Sequence, residues 1–179
     1  MPFHTVNGIK LHTVEGGPAH SQVALLLHGW SSSWYAMSPL ITLLVQRFRT
    51  VAVDLPGYGE SDPFPHRLEI SDYVEILADL AEHITDGPIV LVGHSMGGMI
   101  SVSMALRHPA LVERMVLISP TITGRLSNYI NFMVSPITLL ERFRFGSLLT
   151  STAERLLVGI SDRLMRPASF AERTGISEQ

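Results

Sequence analysis

The chain has 179 residues, 46% of them hydrophobic and 16% charged, which suits a folded domain with a sizeable apolar core and excludes an intrinsically disordered chain. Its formal net charge is -3 with no basic block, so nothing in it favours nucleic acid as a partner. It has no cysteine, hence neither disulfides nor a thiolate metal site, and no apolar run approaches the roughly 18 residues of a membrane span. Met1 to Lys10 lacks the charged start and apolar centre of a signal peptide, so the expected location is cytoplasmic.

In chain order, Phe3–Val6 and Ile9–Val14 flank Asn7-Gly8, a two-residue hairpin turn. Val23–Leu27 is an unbroken apolar run, the signature of a strand covered on both faces. It ends at His28-Gly29-Trp30, and a helix is expected over Ala36–Gln46. Thr50–Val53 is a short strand ending at Asp54, followed by a loop rich in glycine and proline from Leu55 to Pro65. Ser71–Ile84 reads as an amphipathic helix with Tyr73, Ile76, Leu77, Leu80 and Ile84 on one face and Asp72 and Glu75 as its capping pair. Ile89–Val92 is a further buried strand, Gly93–Gly98 a tight turn, Met99–Arg107 an apolar helix and Val112–Ile118 a last buried strand.

Alternating strands and helices predict an α/β fold, a mostly parallel sheet with helices on both faces. The pattern changes after residue 120. Residues 121–179 read as a helical segment with pieces near Ser127–Val134, Ile137–Phe143 and Thr150–Met165 and a polar tail from Pro167. Two regions are therefore expected, 1–120 as the core and 121–179 as a cap-like segment.

Gly93-His94-Ser95-Met96-Gly97 follows a strand and opens a helix, the setting in which G-x-S-x-G presents a nucleophile. A sharp crossover strains the serine backbone, the flanking glycines admit neighbouring chain, and the Met96 N–H faces the space beside the hydroxyl. The plain alternative is a tight, glycine-rich turn without chemistry. Together with His28-Gly29-Trp30 and Asp54-Leu55-Pro56-Gly57-Tyr58-Gly59-Glu60-Ser61, this turn resembles the N-terminal part of the α/β-hydrolase superfamily, over roughly residues 20–119.

The resemblance implies Ser95 as nucleophile, with the backbone N–H groups of Met96 and Trp30 as oxyanion donors. His28, Gly29, Gly93, His94 and Gly97 support them, with His28 orienting nearby backbone and the His94 ring directed away. Asp54 has a structural role. The implied reaction is hydrolysis of a carboxylic ester or related acyl compound, with no cofactor and no metal. An aspartate at position 95 would instead have pointed to a dehalogenase or epoxide hydrolase. Superfamily members with serine and a cap include carboxylesterases, lipases of small acylglycerols, C–C bond hydrolases and cofactor-free haloperoxidases. Phe132, Met133, Ile137, Leu139, Leu140 and Phe143 suit either an apolar substrate pocket or ordinary helix packing.

The superfamily's triad runs serine, acid, histidine along the chain. Only His108 follows Ser95, at the far end of a helix that places it on the order of 20 Å away. The expected sheet and triad are thus incomplete, and Val112–Ile118 is left as an exposed edge able to pair with another chain. A truncated fragment, a non-catalytic binding protein retaining the half-fold, and a site completed between subunits stay open beside the hydrolase.

Overall fold

The computed structural model describes residues 2–65 and 69–122; the expected helical segments and polar tail of 121–179 lie almost wholly outside this range. Six strands form one sheet: β1 (Phe3–Val6), β2 (Ile9–Gly16), β3 (Val23–Leu27), β4 (Arg49–Val53), β5 (Ile89–His94) and β6 (Val112–Ile118), in the spatial order β1-β2-β4-β3-β5-β6. The first two strands form the expected hairpin, with Asn7 and Gly8 both at positive φ (49° and 79°) as its tight turn demands. β2 pairs antiparallel with β4, and β4, β3, β5 and β6 run parallel.

The helices are α1 (Ser38–Leu44), preceded by a 3-10 turn at Trp34–Met37, α2 (Ile70–Ile84) and α3 (Met96–Arg107). All five β3 residues are buried, as the unbroken apolar run requires. Successive side chains divide between two layers. Val23, Leu25 and Leu27 join the core beneath α2 and α3, built with Tyr73, Ile76, Leu77, Leu80, Ile84, Ile100 and Met104. Ala24 and Leu26 join the opposite layer, packed by Trp34, Met37 and Ile41. Helices therefore cover both faces, and the parallel strands converge with their carboxyl ends on one rim.

Three local expectations change. The helix expected over Ala36–Gln46 begins as a 3-10 turn and ends at Leu44. Helix α2 starts one residue early, at Ile70, with Glu69 as its N-cap; Asp72 takes the third helical position and its Oδ2 accepts the Glu69 N–H at 2.8 Å. β6 is not fully buried: Met115 is 41% and Val116 50% exposed, because β6 occupies the end of the sheet among the described residues. No helix among them is long and apolar enough to cross a membrane.

Candidate active site

The turn around Ser95 is tighter than its glycines suggest. β5 pairs with β6 as far as His94 opposite Ile118, and α3 begins at Met96, so a single residue makes the crossover. Ser95 has φ 51° and ψ −112°, a combination that L-residues rarely occupy and that costs on the order of 1–3 kcal/mol.

The surrounding glycines are needed because chain passes where side chains would stand. A Cβ on Gly97 would run into the carbonyl oxygens of Leu27 and His28. One on Gly93 would lie 2.5 Å from both the Gly97 oxygen and Ser101 Oγ. Ser101 closes this region by donating its hydroxyl to the Gly97 carbonyl at 2.8 Å.

The loop after β3 lies against the crossover. A Cβ at Gly29 would lie 3.2 Å from Ser95 Cβ and 3.1 Å from His94 Nδ1. Position 29 therefore packs on the serine, and Trp30 follows immediately with its side chain 47% exposed. The His94 ring lies against Gly29, and no histidine among the described residues hydrogen-bonds Ser95. The hydroxyl partner is Thr121, whose Oγ1 lies 3.1 Å from Ser95 Oγ.

His28 is fully buried and its ring is committed to backbone. Its Nε2 accepts the Leu55 N–H at 3.0 Å, and its Nδ1 lies 2.7 Å from the Gly29 carbonyl. An amide N–H can only donate, so Nε2 carries the lone pair and Nδ1 the proton. Neither nitrogen can take a proton from Ser95 without breaking these bonds.

Asp54 is 1% exposed and acts as a hub. Its Oδ1 accepts the Trp34 N–H at 2.7 Å; its Oδ2 accepts the Glu60 N–H at 3.0 Å and lies 2.8 Å from His12 Nδ1. Ser61 completes the knot, donating to the Asp54 carbonyl at 2.6 Å and accepting the His12 N–H at 2.9 Å. His12 Nε2 has no hydrogen-bond partner, so the tautomer with the proton on Nδ1 leaves only a lone pair unmatched. Asp54 thus fixes the far end of the loop that carries Trp30.

His108 caps the other end of α3, within 3.2 Å of Glu75 on α2. That contact meets the distance for an ion pair but not the alignment for a hydrogen bond, since His108 Nε2 has no hydrogen-bond partner.

Residues 23–150 match the family model described as alpha/beta hydrolase fold. The chain belongs to that family. Among curated relatives, Epoxide hydrolase 3 of Xenopus tropicalis is 33% identical over 129 residues, covering 69% of this chain and 34% of that protein. The 2-(acetamidomethylene)succinate hydrolase of Mesorhizobium japonicum is 39% identical over 116 residues, covering 65% of this chain and 41% of the other. Among solved structures, Cfl2 from Burkholderia cenocepacia superposes with a TM-score of 0.70 at 30% identity, over 86% of this chain and 54% of that one. Carboxylesterase CesB from Bacillus subtilis gives 0.62 at 32%, over 66% and 42%. The chain spans 34% and 41% of the two curated relatives' lengths.

Sequence reasoning missed Thr121 and the His12–Asp54 pair. His12 carried one signal, a polar residue next to apolar Leu11 in a strand that also holds Ile9 and Val14. Thr121 carried none, because its contact spans 26 residues.

Proposed function

We propose that the chain carries the nucleophile half of a serine hydrolase acting on a carboxylic ester or related acyl substrate. Ser95 attacks the carbonyl carbon, and the N–H groups of Met96 and Trp30 receive the oxyanion. Gly93, Gly97 and Gly29 admit the close approach, His28 and His94 shape the loop, and an apolar acyl group is the preferred substrate. The observation that carries this reading is Ser95 held at φ 51° between β5 and α3 with Gly29 packed on its Cβ. Strain of this kind persists only where its surroundings enforce it, and it lifts the hydroxyl out of both strand and helix.

Several relatives are named epoxide hydrolases, yet serine at position 95 argues for acyl chemistry. A carboxylate is already anionic at neutral pH and attacks without a base, whereas a serine hydroxyl needs its proton removed.

A second reading is a binding or interaction protein that retains the fold. The exposed edge of β6, with Met115 and Val116, supports pairing with a further strand, from this chain or a second copy.

Fluorophosphonate labelling of the folded chain, with Ser95→Ala as control, separates the two. Labelling confined to the wild type supports the hydrolase; an unlabelled, folded wild type favours binding. A strictly monomeric mass in solution would remove pairing between copies.

A further inference from the structure

Ser95 is strapped to the end of β6 by one short turn. Its N–H donates to the Ile118 carbonyl at 3.0 Å, and its own carbonyl accepts the Thr121 N–H at 3.2 Å alongside the Met99 N–H at 3.2 Å. Ser119 adopts φ 44°, which turns the chain back toward the crossover. Pro120 packs so closely on α3 that a Cβ on Gly98 would lie 2.8 Å from the Pro120 Cβ. Thr121 is thereby anchored through its backbone before its side chain reaches the serine, and its Oγ1 comes to rest 3.1 Å from Ser95 Oγ.

We infer that Thr121 is a positioning residue for Ser95: its hydroxyl holds the Oγ in one rotamer and donates to it as the serine proton departs. The inference rests on the nucleophile reading above. In the resting pair either oxygen can donate. Once a base removes the serine proton, Ser95 Oγ carries only lone pairs, and the Thr121 O–H is the donor remaining on this axis. The threonine keeps its proton throughout, so no bond to Thr121 forms or breaks.

A hydrogen bond to a charged acceptor is stronger than one to a neutral acceptor, so the contact favours the ionised serine over the resting one. A donor already fixed by its own backbone contributes this without reorganising during reaction. Packing alone would account for a threonine methyl here, but not for a hydroxyl aimed at the serine oxygen.

The test compares the rate of fluorophosphonate labelling, from neutral to alkaline pH, for wild type, Thr121→Val and Thr121→Ser. Valine keeps the shape and removes the hydroxyl; serine keeps the hydroxyl and removes the methyl. The expected result is labelling slowed about tenfold in T121V, with its pH profile displaced to the alkaline side, and a near wild-type rate in T121S. Should T121V fail to fold, Thr121→Ala carries the same comparison. A folded T121V or T121A with wild-type rate and profile overturns the inference, as does a T121S as slow as T121V. Those outcomes leave the nucleophile reading intact. No labelling of the folded wild type, or equal labelling of wild type and Ser95→Ala, overturns that reading and the Thr121 role with it.

Discussion

Replacing Asp54 by asparagine changes one atom and leaves the shape, so it isolates the hydrogen-bond arithmetic at the end of β4. Three donors converge on the native carboxylate: the Trp34 N–H on Oδ1, and the Glu60 N–H and His12 Nδ1 on Oδ2. An amide offers one oxygen and one NH2. With its oxygen toward Trp34, the NH2 meets His12 and Glu60. His12 can move its proton to the unpartnered Nε2 and accept through Nδ1, but the Glu60 N–H is left facing another donor. With the amide flipped, the Trp34 N–H is orphaned instead.

Either way one buried backbone donor is stranded, at about 1–3 kcal/mol, and the surviving bonds weaken by about 1 kcal/mol each on losing the charge. Relief of burying a carboxylate works in the opposite direction but cannot supply the missing acceptor. The expected net loss is about 3 kcal/mol, a large part of the 5–15 kcal/mol typical of a domain. Urea denaturation with the slope unchanged would measure it. A loss under about 1 kcal/mol would refute the assignment of Asp54 as a three-donor hub.

Gly97→Ala should prevent folding or cost several kcal/mol, because its Cβ meets the backbone carbonyls of Leu27, held in β3, and of His28, held by its bond to Leu55; circular dichroism and the urea midpoint decide it. Ser95→Gly should be more stable than Ser95→Ala by about 1 kcal/mol, since both lose the hydroxyl but only glycine escapes the strained φ, partly offset by its looser unfolded chain; equal melting temperatures would deny the strain. Burial raises the Glu15 carboxyl, yet hydrogen bonds from His4 and Arg49 outweigh it and hold the group below the usual 4.5. A depressed carboxyl stabilises the fold above its unfolded value and loses that contribution as pH falls through the folded value. Glu15→Gln should therefore be less stable at neutral pH and flatter between about pH 5 and the acid limit, which denaturation midpoints against pH would show.

Much of the architecture was legible because it is written in runs. Five consecutive apolar residues at Val23–Leu27 demanded cover on both sides, and the spacing of Tyr73, Ile76, Leu77, Leu80 and Ile84 assigned one helix face. The crossover at Ser95 was legible because glycines sit where chain must pass closely. Its size was not: the Gly93–Gly98 turn shrank to one residue because pairing of His94 with Ile118 extends β5, and no local pattern reports the register of a distant strand. β6 reads two ways, as a buried apolar run and as the sheet's exposed edge, and the exposure of Met115 and Val116 agrees with the edge. Its apolar residues resemble those of a central strand, but burial depends on neighbours that lie elsewhere in the chain. The contacts of Asp54 with His12 and Trp34 and of Thr121 with Ser95 each join residues 20 or more positions apart and leave no periodic trace.

The surroundings of Ser95 are assembled by two separate frames, and this decides how they can fail. One frame holds the serine: β5 and α3 carry it, the last residue of β6 accepts its N–H, and the turn that follows bonds its carbonyl and hydroxyl. The other holds the loop opposite. His28 ties one end of that loop to Leu55 and Asp54 ties the other to Trp34, so both anchors come from the end of β4. Between them Ser31 takes φ 55°, and Gly29 is the point where the loop meets the serine. Damage at Asp54 therefore displaces the Trp30 amide while the Ser95 rotamer keeps its partner. Damage at Thr121 frees the Ser95 hydroxyl while the loop stays in place. On the proposal that Ser95 is the nucleophile and the Trp30 amide an oxyanion donor, the two lesions should differ in kind, the first weakening stabilisation of an oxyanion and the second lowering the reactivity of the hydroxyl itself. A double substitution should then multiply the two effects on labelling rate, since the anchors share no partner. A product well short of that would mean that the frames are one, joined through Gly29.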